Sequence, residues 1–169
     1  MSLPIDILVS RLRNELTVCS RYLGHPVNRS EENLSKFPLD IEIGLVKVPA
    51  SVNLDGKVVT KYSHTFSIIV TRDYPFEKPL VIWRTPIFHP NIMMPEDGGH
   101  LCTKLLEEWS FNSTLLSFIK GIESLLLNPN PRSPFGTDSC TGAANHFNNG
   151  HQRIPPVVYS PQPKVVRSR

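Results

Sequence analysis

Two changes of hydrophobic period limit what this chain can fold into. Up to Leu23 the apolar residues Ile5, Leu8, Val9, Leu12, Leu16, Cys19 and Leu23 recur every three or four positions. That spacing lays one apolar stripe along a helix. Ser2 is placed to cap its start, and Gly24 followed by Pro26 stops it. From about residue 38 to 84 the period falls to two. Leu39, Ile41, Ile43 and Leu45 alternate with charged or small residues in LDIEIGLVKV, and DGKVVTKY, HTFSIIV and LVIWRTP continue as extended runs. Period two belongs to strands with one buried face, and Asp55-Gly56 marks a tight turn. Helical spacing returns with Leu115, Phe118, Ile119, Ile122, Leu125 and Leu126, capped by Thr114 or Ser113 and ended by NPNPRSP. A weaker helical stretch, SCTGAANHF, covers 139–147. The order predicts an α+β fold: an N-terminal helix, a four-stranded antiparallel meander, then further helices sealing one face.

A chain of 169 residues, 40% hydrophobic and 20% charged, is long enough to bury one core. No apolar run approaches a membrane span. The opening MSLPIDILVSRLRNEL has no basic start, and Arg11, Arg13 and Glu15 interrupt it, which speaks against a signal peptide. Residues 151–169 carry Arg153, Lys164, Arg167 and Arg169 and no acid. Taking those four from 18 bases leaves 14 against 15 acids, so the body is near neutral and no nucleic-acid footprint or membrane contact is expected. Pro155, Pro156, Pro161 and Pro163 make 151–169 a Pro-rich basic tail, expected to be disordered, behind a domain at 1–150. Cysteines at 19, 102 and 140 are odd in number and widely spaced. They predict reduced thiols in a cytoplasmic protein. With no CxxC or HExxH pair, no metal site is expected.

The stretch HPNIMMPEDGGHLC, residues 89–102, is where chemistry concentrates. A lone cysteine is more often a small core residue, and Cys19, on the helical stripe, reads that way. Three local features separate Cys102 from it. Pro90, Pro95, Gly98 and Gly99 mark irregular surface chain. In an extended segment His100 and Lys104 project on the same side as Cys102, and a nearby cation favours the thiolate. Asn91 supplies an amide donor of the kind that holds an oxyanion. Together they point to a thiol nucleophile without naming its reaction.

YPFEKP at 74–79, TPIFHPN at 85–91, the Gly-x-hydrophobic-Cys approach to Cys102, WS at 109–110 and NPNPRSP at 128–134 occur in that order. With RLRNEL at 11–16, this series resembles the ubiquitin-conjugating enzymes over roughly residues 3 to 148. The resemblance implies that family's fold, with a central crossover helix and a short C-terminal helix. It implies that Cys102 receives a modifier's C-terminal glycine as a thioester from an activating enzyme and yields it to a lysine amine. Asn91 resembles the family asparagine that stabilises the oxyanion or the loop itself. His89, with Pro90, resembles the structural part of that loop, and Ser133 matches the gate position beside the cysteine. Arg11, Arg13 and Asn14 resemble the activating-enzyme face. Pro75 and Phe76, with Ser110, Phe111 and Asn112, resemble the two loops that grip a ligase, most simply of RING type. Ser117, Lys120 and Ser124 match the face that holds the donor modifier. No cofactor is implied, since ATP is used by the activating enzyme.

The departures from the family pattern mark a divergent member. MMPED lengthens the path from Asn91 to Cys102, and Trp109 follows one residue sooner than usual. Lys104 stands at an often acidic place, Lys120 replaces an apolar donor contact, and Phe111 stands where proline is usual. After Phe147 the customary last helix gives way to the tail. Two rival readings remain at this point: a non-catalytic binder of ubiquitin-like proteins, and a cysteine hydrolase pairing Cys102 with His146 or His151.

Overall fold

The structure, a computed structural model, describes residues 1–27 and 34–150, and of residues 104 and 105 the backbone alone. The tail at 151–169, its expected disorder and the Lys104 side chain therefore lie outside the described residues. The first helix, α1, spans Ile5–Leu23 and buries Leu8, Leu12, Leu16 and Cys19. Its stripe starts to bury one turn later than the spacing suggests, since Ile5 is 43% exposed. Pro4, not Ser2, occupies the N-cap: its φ of −50° is preset, and its carbonyl accepts the first helical bond from Leu8. Gly24 closes the helix at φ 75°, as the stop signal requires.

Five strands follow: β1 (Leu39–Leu45), β2 (Ala50–Leu54), β3 (Lys57–Lys61), β4 (His64–Val70) and β5 (Leu80–Trp83). All their pairings are antiparallel, as expected, but the single four-stranded meander is not what forms. β1 pairs directly with β4, from Leu39 opposite Val70 to Leu45 opposite His64, and β5 joins the other edge of β4. β2 and β3 branch off between them as a separate hairpin. The Asp55-Gly56 turn is found, with φ of 50° and 87° that match a two-residue hairpin loop. β2 escapes a period-two reading because Ala50, Ser51 and Val52 are all buried in succession. Alternation holds in β1, where Leu39, Ile41, Ile43 and Leu45 all face the core.

The second half of the chain is helical: a short α2 (Lys104–Glu107), α3 (Leu115–Leu127) and α4 (Asp138–Asn148). Thr114 caps α3 through a reciprocal pair with Ser117, each side chain accepting from the other's backbone N–H. Leu115, Phe118, Ile119, Ile122 and Leu126 bury against the core, while Leu125 is half-buried. Thr137 caps α4, whose buried residues are Cys140, Ala143 and Ala144. The core joins α1, the three-stranded sheet and α3, with Trp83, Tyr74, Phe66 and Phe118 its largest fully buried side chains. Burying each such side chain contributes about 2 kcal/mol or more.

Candidate active site

Between β5 and α2 the chain doubles back on itself. Ile92 and Leu101 form an antiparallel bridge, framed by Met93 N–H to the His100 carbonyl at 2.8 Å and Cys102 N–H to the Asn91 carbonyl at 3.1 Å. HPNIM and HLC are thus two short rungs of a hairpin whose tip is 94–99. Met94–Gly99 fold into a closed turn, with Asp97 and Gly99 donating to the Met94 carbonyl and Gly98 to that of Pro95. The MMPED residues fall mostly in this tip. They leave the Asn91–Cys102 pairing intact.

The tip is held from below. Trp83 N–H donates to the Gly99 carbonyl at 2.8 Å, and a Cβ at Gly99 would stand 2.6 Å from the Trp83 carbonyl oxygen. Only glycine permits that approach at φ 66°. Met94 turns its sulfur to the Ile87 N–H at 3.4 Å.

At the other end the HPN tripeptide is fixed by buried bonds. The His89 ring accepts from Asn91 N–H through Nδ1 at 3.0 Å and donates from Nε2 to the Leu125 carbonyl at 2.9 Å. Burial lowers its pKa to about 4, the Leu125 bond opposing in part, so it stays neutral. Pro90 accepts from Phe135 N–H at 3.0 Å. Asn91 is buried: its Nδ2 donates to the carbonyls of Asn130 and Ser133, both at 3.1 Å, and its Oδ1 accepts from Asn130 N–H at 2.8 Å. Asn91 therefore ties the loop before α4 to the cysteine-bearing hairpin. Ser133 itself is exposed.

Of the three thiols, Cys102 alone is exposed. Burial pushes Cys19 up to about 12, with Glu15 adding to it, and burial also raises Cys140. Cys140 donates to the Ile92 carbonyl at 3.4 Å, so it braces the hairpin from behind. Nucleophilic character thus falls to the thiol the loop presents.

The expected partner surfaces are placed as follows. Arg13 and Asn14 are exposed on α1. Arg11 is half-buried and turned inward: Nε meets Glu15 Oε1 at 2.7 Å, and an Nη donates to the carbonyls of Phe111 and Ser113. Its guanidinium also lies over the Tyr74 and Phe111 rings, at 5.5 and 5.1 Å. Phe76 and Phe111 are 38% and 46% exposed and their rings pair at 5.2 Å. Ser110 and Asn112 are exposed beside them, whereas Pro75 is buried and gives its carbonyl to Trp109 Nε1 at 2.8 Å. Ser117, Lys120 and Ser124 share the exposed side of α3, and Lys120 Nζ rests 5.1 Å above the Tyr22 ring. Tyr22 in turn donates to Glu123 at 2.9 Å.

One residue that joins these parts was not singled out as a site by sequence. Glu15 Oε2 accepts both the buried Tyr74 hydroxyl at 2.7 Å and the first α3 N–H, of Leu115, at 2.8 Å. Its spacing of four from Arg11 is the signal that the sequence carries.

The fold is an α+β domain in which one exposed thiol stands on a braced hairpin. A sequence model of the family described as ubiquitin-conjugating enzyme matches residues 27–154, and the chain belongs to that family. It is similar to the ubiquitin conjugating enzyme E2 B of Dictyostelium discoideum, 32% identical over 84 residues, 50% of this chain and 55% of that protein. Its fold is similar to the E2 domain of a Toxoplasma gondii ubiquitin conjugating enzyme, with TM-score 0.61 at 22% identity over 84% of this chain and 87% of that one. It is also similar to Ubc12 of S. cerevisiae, with TM-score 0.58 at 25% identity over 86% of this chain and 72% of that one. The chain spans about half the length of the curated relatives it matches. Among the described residues no helix is long and apolar enough to cross a membrane.

Proposed function

We propose that this chain is a working ubiquitin-conjugating enzyme, carrying ubiquitin or a ubiquitin-like modifier as a thioester on Cys102. The observation that carries this reading is the exposure of that thiol at the end of a hairpin whose facing strand is locked by His89 and Asn91. In loading, the Cys102 sulfur displaces the activating enzyme's thiol from the modifier's C-terminal carbonyl. In discharge, a lysine amine displaces Cys102 and an amide forms. Both steps are acyl transfers at the same carbonyl carbon. The domain's contribution is then orientation of two proteins about one carbon atom. Asn91 has both amide hydrogens engaged on carbonyls, which favours its role as anchor of the channel over direct oxyanion binding. Ser133 shapes the rim, and no cofactor takes part, ATP being consumed by the activating enzyme.

The exposed Phe76–Phe111 pair with Ser110 and Asn112 is the proposed ligase surface, for a partner of RING type. Arg13 and Asn14 are the proposed activating-enzyme contacts, with Arg11 behind them as the support that sets the Phe111 loop. Ser117, Lys120 and Ser124 are the proposed donor face. A reducing compartment such as the cytoplasm keeps the thiol available. A non-catalytic binder has no use for an exposed thiol on a braced frame. For a hydrolase, His146 is poorly suited, because its ring packs against Phe88 and Phe147 at 5.8 and 5.7 Å. His151, the other candidate base, lies outside the described residues.

The test is loading with ubiquitin-like modifiers, their activating enzymes and ATP, read on gels with and without reductant. The expected product is a reductant-sensitive adduct, lost in Cys102→Ala and converted to a reductant-stable ester in Cys102→Ser. No adduct with any modifier would overturn the proposal.

A further inference from the structure

The transfer proposed above needs a proton acceptor, because a lysine reaches the thioester as an ammonium. The groups nearest in the fold are poorly suited to the task. Both nitrogens of His89 are engaged within the buried loop, and Asn91 has no hydrogen-bonding atom left over. Ser133 is a hydroxyl without a base of its own. His100 is the remaining imidazole on this hairpin.

Its placement follows from the bridge. Residues 100–103 alternate exposed, buried, exposed, buried, with Leu101 and Thr103 turned inward. His100 and Cys102 therefore stand on one side of an extended strand, with their side-chain roots roughly 7 Å apart. A nitrogen attacking an acyl group on the Cys102 sulfur enters the space beside that pair. The His100 ring leans on bare backbone: a Cβ at Gly98 would meet its Cδ2 at 3.1 Å and Nε2 at 3.3 Å. The ring thus lies towards Gly98, and it reaches Cys102 by rotation about the His100 Cα–Cβ bond.

We propose that His100 is the catalytic proton acceptor for the incoming lysine. The ammonium gives one proton to the imidazole. The neutral nitrogen then bonds to the thioester carbon, the carbon–sulfur bond breaks, and the nitrogen's second proton ends on the Cys102 sulfur. The imidazolium returns its proton to solvent. Exposed carboxylates at Glu96, Asp97, Glu107 and Glu108 are the rivals for this task. An imidazole is the stronger base near neutral pH and the more effective acceptor there.

The experiment compares wild-type protein with His100→Gln, each loaded on Cys102 and then chased with free lysine or with hydroxylamine, which is already neutral at neutral pH. His100→Gln is expected to load normally and to react normally with hydroxylamine. Its discharge to lysine falls about 10- to 100-fold, at the low end of general-base effects. Unchanged lysine discharge overturns the assignment, and so does an equal fall with both nucleophiles, which marks a merely structural role. Asp97→Asn reproducing the lysine-selective loss, with His100→Gln inert, gives the proton to the turn's carboxylate instead. Failure of wild-type protein to form any thioester overturns the Cys102 reading and this one together.

Discussion

Asn91 commits its whole side chain to the loop between α3 and α4, and this makes its removal a structural event. Asn91→Ala strips partners from the Asn130 N–H and from the carbonyls of Asn130 and Ser133. Stability is expected to fall by about 2–4 kcal/mol in urea unfolding, because buried polar groups left unpaired carry their full desolvation cost. An asparagine kept free for the oxyanion would leave stability unchanged and lose discharge alone. His89 sets a pH dependence on the same loop. Its folded pKa of about 4 lies below the unfolded 6.5, so its stabilising effect is complete above the unfolded value. As pH falls the unfolded chain gains a proton that the folded one refuses, and stability drops by about 2 kcal/mol between about pH 7 and pH 5. His64, lowered by burial as well, acts in the same direction. A flat unfolding midpoint over that range would contradict both. The HPN motif was legible as a loop anchor, and the exposed Cys102 was legible as a presented thiol. The partners of Asn91 were not, because they arrive from 39 and 42 residues away.

At the scale of elements, a single carboxylate determines how α1 meets the rest. Glu15 receives Arg11, the Tyr74 hydroxyl and the leading N–H of α3, so one side chain sets α1, the YPF turn and the Ser110–Ser113 loop in register. Glu15→Ala is expected to cost about 3 kcal/mol, with Tyr74 left buried without its acceptor and α3 losing a charge at its positive end. The check is thermal unfolding together with the fluorescence of Trp109, whose ring stands 5.8 Å from Tyr74. An unchanged melting temperature would mean that packing alone holds the joint. The Arg11–Glu15 spacing was visible in sequence, but it reads equally as a solvated helix pair. Only the long-range contacts turn it inward. The strand count failed for a related reason: period two reports a strand with one wet face, and β2 buries three residues in a row. Where one face meets the core and the other water, as in β1 and α3, sequence and structure agree residue by residue.

For the whole molecule, the question is where the cooperative unit ends. Every buried residue of the described chain lies between Leu8 and Ala144, and α4 closes the set with Cys140 braced on the Ile92 carbonyl. Among the described residues α4 is the last element, ending at Asn148, and one side of it faces away from the core. That side carries Thr141, Asn145 and Asn148, all exposed and polar, and such a face buries nothing that needs a cover. The core is therefore expected to be complete by Gly150. A protein ended there should melt within a few degrees of the full chain, since a loss of even about 1 kcal/mol shifts a domain of this size by roughly 2–6 °C. It should also load Cys102 at the full-chain rate, because the hairpin, its Trp83 support and the Asn91 tie all precede that point. Calorimetry and the loading gel read the two halves separately. A large drop in melting temperature would make residues 151–169 part of the fold. Normal melting with slowed loading would make them part of partner docking instead, which is where four bases and no acids exert their longest-range effect.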